Sequence, residues 1–217
     1  IAYYSSSDKK IDIDLIKKIN NKPNLFIDKN GDNYYNIISA FQKSIRGSDV
    51  NASLHYLARL LEAEDLDIIV RRLSVIVYED IGLANSQALV VATNAFLAVE
   101  RIGMPEAAKI LAHAALYVCC SPKSDTVSRG ITQAMADAKQ TTNVPIPPFL
   151  QDASYKNAQK LGRGVGLDNI HAFKNHYSGK KCMPKELSNR HYFQLTQMGN
   201  EKSIQKFLDY LRENRNN

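Results

Sequence analysis

The sequence has few cysteines and no long apolar run, and each scarcity excludes a class of protein. Only three of the 217 residues are cysteine, and two of these, Cys119 and Cys120, are adjacent. Three thiols cannot all pair, so they indicate reduced, intracellular cysteines rather than a disulfide framework. No apolar run reaches the roughly 18 residues that a transmembrane helix needs, and the N-terminal stretch lacks the core of a signal peptide. We therefore expect a cytoplasmic protein without a membrane partner.

The chain also lacks the loop that holds a nucleotide phosphate. Such a loop reads G-x-x-x-x-G-K-[ST], because its backbone N–H groups surround the phosphate and its lysine reaches it. The only Gly-Lys pair is Gly179-Lys180, but Lys181 follows it and Lys174 stands where the first glycine belongs. No hydrophobic strand ends in paired acids that could hold Mg²⁺. We therefore expect this chain to bind no cofactor and to hydrolyse no ATP alone.

Two other groups of residues invite a chemical interpretation and also have a plainer one. The glycine run at 162–166 resembles a phosphate loop but lacks a preceding strand and the G-x-G-x-x-G spacing, which favours a turn. The possible zinc ligands are His171, His176, Cys182 and His191. Structural zinc sites use closely spaced pairs, and only two of these residues are close, so surface residues are favoured. We assign no catalytic, cofactor-binding or metal-binding residue.

Apolar residues recur at helical spacing through most of the chain, and no segment alternates as a strand would. The predicted helices cover residues 12–20, 34–46, 50–63, about 65–82, 86–102, 105–120, 124–140 and 153–161, with a final helix after Asn200. The stretch 107–120 is nearly all Ala, Leu and Ile, so it is expected to be buried in a bundle. Short connections between such helices predict an all-α, multi-helix array.

Four local predictions concern helix caps and inward faces. Ser48 or Asp49 is expected to cap the helix at 50–63, and Asn200 the final helix. The inward residues expected in the helix at 50–63 are Leu54, Leu57, Leu60 and Leu61. The inward residues expected in the helix at about 65–82 are Ile69, Leu73, Ile76 and Val77.

The basic excess lies in the last third of the chain. Residues 1–154 carry 16 Lys and Arg against 17 Asp and Glu, whereas residues 155–217 carry 12 against 5. Three prolines within 141–148 and several glycines beyond predict an irregular, Pro/Gly-rich basic segment. It is either a solvated basic surface or a surface that contacts DNA phosphates. The candidate DNA-binding residues are Lys156, Lys160, Arg163, Lys174, Lys180, Lys181, Lys185 and Arg190, with Tyr155, Tyr177 and Tyr192 available to stack on bases.

Several motifs resemble one known family. The stretch Gly31-Asp32-Asn33-Tyr34-Tyr35 is followed by Ile38-Ser39-Ala40-Phe41-Gln42-Lys43-Ser44-Ile45-Arg46-Gly47-Ser48-Asp49. Together with later motifs, it resembles the hallmark of the replication-associated recombination protein A (RarA or MgsA) family of AAA+ ATPases. The motif residues singled out are Lys43, Arg46, Gly47, Ser48, Asp49, Arg59, Arg71, Arg72, Glu79, Asp80, Pro122 and Lys123. The sequence departs from the family pattern at four positions. Asn33 and Gln42 each replace a usual His, Val50 replaces a usual Pro, and Asp152 replaces a usual Asn.

The resemblance implies a DNA-stimulated AAA+ ATPase that acts in replication, recombination and repair at stalled forks, similar to clamp-loader subunits and Werner-interacting ATPases. In that family an ATPase core precedes a helical lid and an oligomerisation domain that builds a homotetramer. The chain begins with Ile1 rather than Met. We therefore expect a piece of such a protein, with lid residues at 1–69, the oligomerisation domain at 70–217, and ATP and Mg²⁺ bound elsewhere in the parent.

The resemblance leaves two functions open, besides the weaker alternative of an independent hydrolase. The favoured function is self-assembly, which the apolar surface expected on the helices at 86–120 supports. The other is DNA binding by residues 156–215. Expected partners are further copies of the chain, single-stranded or forked DNA, and a single-stranded-DNA-binding protein. The expected location is the nucleoid.

Overall fold

A computed structural model describes residues 32–63 and 65–214, and these residues form seven α-helices and no β-strand. The helices are α1 (Asp32–Arg46), α2 (Val50–Glu62), α3 (Leu66–Ile76), α4 (Gln87–Ile102), α5 (Ala107–Cys120), α6 (Thr126–Gln140) and α7 (Glu201–Glu213). The predicted all-α class is confirmed. The helix predicted at 12–20 lies outside the described residues.

Short helical turns fill much of the rest. A π-helical turn, Val77–Ile81, and a 3₁₀ turn, Gly82–Asn85, join α3 to α4. Further 3₁₀ turns lie at Pro148–Leu150, Ala158–Leu161, Ile170–Ala172, Lys174–His176 and Lys185–Leu187.

The helix predicted at 153–161 is wrong, because only its last four residues form a single 3₁₀ turn. The backbone of Asn157 has φ +72° and that of Gly162 has φ +76°, so a left-handed residue bounds the turn on each side. A left-handed residue interrupts an α-helix, since its N–H and C=O no longer point along the helix axis.

The described residues belong to two compact units. Among the described residues, the first unit combines 32–63 and 65–73 with 94–119, and the second combines 74–93 with 120–214.

In the first unit, α1 packs against α2. Ile37, Phe41 and Ile45 recur every four residues along α1 and are fully or almost fully buried. Such spacing places the three side chains on one helical face, as the apolar pattern predicted.

The inward face of α2 differs from the prediction. Leu57 and Leu60 are buried as expected, but Leu54 is 36% exposed and Leu61 is half-buried. Ser53 takes the buried position one turn before Leu57, and its Oγ donates a hydrogen bond to the Asp49 carbonyl at 2.7 Å. Because that bond satisfies the hydroxyl, a serine is tolerated in the core.

The remaining predictions for the first three helices are confirmed. Asp49 caps α2, because its Oδ1 accepts a hydrogen bond from the Ala52 N–H at 3.0 Å. The buried stripe of α3 and the turn after it comprises Ile69, Leu73, Ile76 and Val77.

One carboxylate ties α1 to the start of α3. Asp65 Oδ1 accepts a hydrogen bond from the Ile68 N–H at 3.1 Å, as an N-cap does, and its Oδ2 accepts one from the Tyr34 hydroxyl at 2.5 Å. Burial and this hydrogen bond raise the pKa of Tyr34 to about 12. The phenol therefore stays protonated, and remains a donor to Asp65, across the physiological pH range.

Helix α5 is the apolar helix that was expected to be buried, and the structure confirms its burial. Its buried residues are Ala107, Leu111, Ala114, Ala115, Val118 and Cys119. The Cys119 Sγ lies 3.4 Å from the Ser53 Oγ in the first unit. A buried thiol in such surroundings packs as a small apolar group.

In the second unit, an irregular strap of residues 189–199 runs from the last 3₁₀ turn to α7. The strap is held on α6 by the Asp137 carboxylate, which accepts from the Tyr192 hydroxyl at 2.9 Å and pairs with Arg190 at 3.0 Å. A Cβ at Gly130 would lie 2.7 Å from the Tyr192 carbonyl oxygen, so only glycine allows the strap to pass this close.

The prediction that the Asn200 side chain caps α7 is wrong. Asn200 has helical dihedral angles and makes no side-chain capping bond. Its backbone N–H instead donates to the Ala84 carbonyl oxygen at 2.8 Å. The Thr196 N–H, just before α7, donates to the Glu201 carboxylate at 2.6 Å.

Candidate functional site

The motif residues between α1 and α2 build a tight corner. The Gly47 N–H donates to the Lys43 carbonyl at 2.8 Å, and the Asp49 N–H to the Ser44 carbonyl at 2.9 Å. Ser48 has φ +57°, which a non-glycine residue seldom adopts. The Gly47-Ser48-Asp49 part of the motif is therefore explained by chain reversal and helix capping.

The two arginines of the motif on α3 differ in exposure. Arg71 is exposed, whereas Arg72 is half-buried. The positive charge of Arg72 acts on the Tyr34 hydroxyl and works against the rise in its pKa. Arg72 therefore contributes to the electrostatic environment of the Tyr34–Asp65 pair.

A second group of motif residues meets in the second unit. The Ser124 N–H donates to the Asp80 carbonyl at 2.7 Å, which joins the Pro122-Lys123 segment to the π-helical turn that holds Glu79. The Lys123 ammonium donates to the Ser121 carbonyl at 2.7 Å. These contacts give the second group of motif residues an architectural role.

A buried carboxylate lies beside this group. Glu201, in the first turn of α7, is fully buried. It accepts hydrogen bonds from Ser124 Oγ at 2.5 Å, Thr126 Oγ1 at 3.3 Å and Thr196 Oγ1 at 2.7 Å. Burial alone would raise the pKa of the Glu201 carboxyl, but the hydrogen bonds from Ser124, Thr196 and Thr126 outweigh burial and lower it. We refer to these four residues as the Glu201 cluster.

Sequence reasoning missed the Glu201 cluster. Ser124 precedes Glu201 by 77 residues, so no local pattern joins them. The one available signal was an acid in the first turn of an amphipathic helix, which also fits an exposed residue favoured by the helix dipole.

The basic segment presents all eight candidate DNA-binding residues at the surface. Three of them already have partners. The Arg163 guanidinium lies 5.7 Å from the Tyr155 ring centroid, and Arg190 pairs with Asp137. Lys180 lies 3.5 Å from the Asp168 carboxylate, and its ammonium also donates to the Gly166 carbonyl.

The other five candidates are Lys156, Lys160, Lys174, Lys181 and Lys185. Within residues 65–214, none of these lysines forms an ion pair with a carboxylate. Their charges are therefore available to an anionic partner.

The three tyrosines proposed for stacking differ in availability. Tyr155 is 42% exposed, and Tyr177 is half-buried. The Tyr192 hydroxyl is bound to Asp137, and this hydrogen bond raises the pKa of Tyr192. Tyr192 therefore anchors the strap.

The glycine run forms turns, as predicted. Gly162, Gly164 and Gly166 all have positive φ. A Cβ at Gly164 would lie 2.6 Å from the Ala153 Cβ, and the Gly164 N–H donates to the Pro148 carbonyl at 2.9 Å. Glycine is therefore required at 164 because another part of the chain passes close by.

Two other features bear on the kind of site present. Among the described residues, no group of three or more His, Cys, Asp and Glu side chains is arranged to hold a metal ion. The His171 and His176 rings pack edge to face with centroids 5.2 Å apart. None of the helices in the described ranges has the length and apolarity that a bilayer span requires.

The fold and the surface define a class of protein: an all-helical module with an irregular basic segment and no phosphate loop in its sequence. Residues 47–212 match the family described as MgsA AAA+ ATPase C terminal, and residues 1–46 match the AAA C-terminal domain. The chain belongs to the MgsA AAA+ ATPase C-terminal family, which confirms the resemblance seen in its motifs.

Curated relatives agree with this family. The chain is 47% identical over 185 residues to the replication-associated recombination protein A of Bacillus subtilis strain 168, covering 85% of the chain and 44% of the relative. It is 33% identical over 202 residues to the Escherichia coli K12 protein of that name, covering 92% and 45%. The ATPase WRNIP1 of Dictyostelium discoideum is 33% identical, covering 88% and 22%. The chain thus spans less than half the length of these relatives.

The two family matches meet between residues 46 and 47, where the structure shows no separation. Helices α1 and α2 lie on opposite sides of that point and pack against each other. The Tyr34–Asp65 hydrogen bond also crosses it. The division into domains at 1–69 and 70–217 stays a prediction.

Proposed function

We propose that the chain is the self-assembly module of an AAA+ ATPase that acts in replication-associated recombination in the bacterial cytoplasm. Family membership and the replication-associated recombination proteins among its relatives support this proposal. The sequence contains no G-x-x-x-x-G-K-[ST] loop, so ATP and Mg²⁺ are bound by another part of the parent protein. The assembly that we expect is a homotetramer.

The observation that carries self-assembly is an apolar stripe on α6. Val127, Ile131 and Met135 recur every four residues, so they share one face of the helix. They are 43%, 56% and 57% exposed, respectively. A row of large apolar side chains left in water is typical of a surface that another protein covers.

The apolar surface differs from the one expected on the helices at 86–120. Helix α5 buries most of its apolar residues, so it contributes little to an interface. Helix α4 does expose Val90, Leu97 and Ile102. Exposed large apolar side chains therefore occur on α4 and α6, and also on α7 at Phe207.

Placing a charge on the α6 stripe is expected to weaken self-assembly. The change Ile131→Lys should raise the dissociation constant at least about tenfold, because the ammonium would lose its water on association. Sedimentation velocity over a concentration series measures this constant.

The matched control is Gln133→Lys, which adds the same charge at an exposed position on another face of α6. It should change the constant by less than about twofold. A wild-type chain that stays monomeric at all concentrations, or equal effects of the two substitutions, would contradict the role of the stripe.

A second candidate function is contact with single-stranded or forked DNA through the basic segment, together with a single-stranded-DNA-binding protein at the fork. The five lysines without carboxylate partners favour it, because they can neutralise phosphates without breaking an ion pair. An assembly of several copies would present several such surfaces and would bind more tightly through avidity.

The salt dependence of binding tests this candidate. Each phosphate contacted on a single strand contributes about 0.7 to the slope of log affinity against log salt. Changing both Lys181 and Lys185 to Gln should therefore reduce the slope by up to about 1.4. Fluorescence anisotropy with a labelled oligo-dT measures it.

The paired control changes Lys109 and Lys139 to Gln, since both are exposed and lie outside the basic segment. It removes the same charge and should leave the slope unchanged. An equal fall in slope for both double variants would show that net charge, rather than this segment, drives binding.

A further inference from the structure

A small cleft opens beside the 3₁₀ turn Ala158–Leu161 in the second unit. It has a volume of 260 Å³ and is lined by Ala153, Tyr155, Asn157, Ala158, Gln159 and Lys160. Ala158 is buried and the other five residues are exposed, so the cleft has a fixed base and an accessible rim.

Tyr155 is held in a position that suits stacking. Its ring is 42% exposed and carries the Arg163 guanidinium 5.7 Å from its centroid. This cation–π contact restrains both side chains. Unpaired bases stack on aromatic rings such as tyrosine and on guanidinium planes, and restraint lowers the entropy cost of binding.

Two amides and two lysines surround the aromatic ring. Asn157 and Gln159 form no side-chain hydrogen bond with any described residue, so both can offer donors and acceptors to a ligand. Lys160 lines the cleft, and Lys156 follows Tyr155 directly.

The adjacent carboxylate, Asp152, is bound within its own loop. Asp152 accepts two hydrogen bonds from Ser154, one from its N–H and one from its hydroxyl, each at 3.0 Å. These bonds lower the pKa of Asp152 and occupy both of its oxygens. No residue that lines the cleft is acidic.

We propose that this cleft binds one nucleotide of single-stranded DNA. The base stacks on Tyr155, the amides of Asn157 and Gln159 meet its edge, and the phosphates lie toward Lys156 and Lys160. This inference rests on the proposed DNA contact and names its site. Stacking accepts every base, so the cleft would hold a strand with little sequence preference.

The experiment compares Tyr155→Leu and Tyr155→Phe in the full 217-residue chain. Loss of the ring should weaken binding of a labelled oligo-dT about tenfold or more, whereas phenylalanine should stay within about twofold of wild type. The salt slope should be unchanged in Tyr155→Leu, because tyrosine carries no charge, and should fall by about 0.7 in Lys160→Gln.

The matched control is Tyr78→Leu, which removes an exposed tyrosine from the π-helical turn. Circular dichroism and sedimentation confirm that each variant keeps its fold and assembly. If the wild-type chain binds and Tyr155→Leu loses no affinity, or Tyr78→Leu loses as much, the cleft is not the binding site. The proposed DNA contact through the basic segment would not be affected by that result. No wild-type binding at low salt would remove both, and tighter binding of oligo-rU would replace DNA by RNA as the ligand.

Discussion

Replacing Glu201 with alanine is expected to lower the free energy of unfolding by about 3 kcal/mol. The carboxylate is fully buried and accepts hydrogen bonds from three hydroxyls and one backbone N–H. Its removal would leave the Thr196 N–H and hydroxyl without an acceptor, and each buried donor left unpaired costs about 1–3 kcal/mol. The Ser124 and Thr126 hydroxyls lose a bond to a carboxylate but keep Thr126 Oγ1 at 3.0 Å and the Gln194 carbonyl at 3.1 Å as acceptors. Urea denaturation followed by far-UV circular dichroism, at one protein concentration, measures the loss.

Two further substitutions test whether the carboxylate of Glu201 causes the expected loss of stability. Glu201→Gln keeps the shape of the side chain but places an NH₂ group against donors, so it should cost about 2 kcal/mol. Glu213→Ala removes an exposed acid from the other end of α7 and should change stability by less than about 0.5 kcal/mol. A loss for Glu201→Ala no larger than that for Glu213→Ala would show that the Glu201 cluster contributes little.

The same cluster predicts how stability depends on pH. The pKa of Glu201 is lowered in the folded chain from the ordinary value of 4.5. A carboxyl with a lowered pKa stabilises the fold fully above the unfolded value and loses this contribution as pH falls through the folded value. The stability difference between wild type and Glu201→Gln should therefore be constant near neutral pH and shrink below about pH 4.5.

Replacing Gly199 with alanine should cost about 3 kcal/mol or more, for two reasons that can be separated. Gly199 has φ +51°, which costs a residue with a Cβ about 1–2 kcal/mol. In addition, the new Cβ would lie 2.1 Å from the Ala84 carbonyl oxygen and 2.7 Å from the Pro122 Cγ. The carbonyl cannot retreat easily, since it accepts the Asn200 N–H at 2.8 Å.

Gly162→Ala is the matched control, because Gly162 has φ +76° but no atom within 4 Å of the position that its Cβ would take. It should cost only the backbone term of about 1–2 kcal/mol. The difference between the two variants in urea denaturation isolates the steric clash. Equal losses at the two positions would mean that the chain around Gly199 moves aside at little cost.

Local sequence patterns predicted most helices correctly. Apolar spacing gave α1, α2, α4 and α6 to within about two residues, since a helix that buries one face must repeat its apolar residues every three or four positions. Helices α1 and α4 end at Arg46 and Ile102, as predicted, and Asp49 caps α2. These signals lie within a few residues of the feature they specify.

The errors fall where a local preference was weak. Leu54 was expected inside from the helical spacing of the leucines, but Ser53 is buried instead. The segment 153–157 has helix-compatible residues, yet Asn157 adopts a left-handed backbone that stops the helix. Asn200 is a typical capping residue, but its side chain makes no capping bond, and its backbone N–H donates a hydrogen bond to the Ala84 carbonyl. At Ser53 and Asn200 a contact with a distant part of the chain, Cys119 and Ala84 respectively, outweighed a weak local preference.

The sequence by itself determined the helical class, the family, the burial of α5 and the location of the basic charge. Those properties follow from residue type and periodicity, which the chain carries before it folds. The tertiary structure alone decided that Glu201 is a buried acceptor, that Gly199 admits no Cβ, and which lysines lack a carboxylate partner. Such properties depend on atoms brought within a few ångströms by packing, and no spacing along the chain encodes those distances.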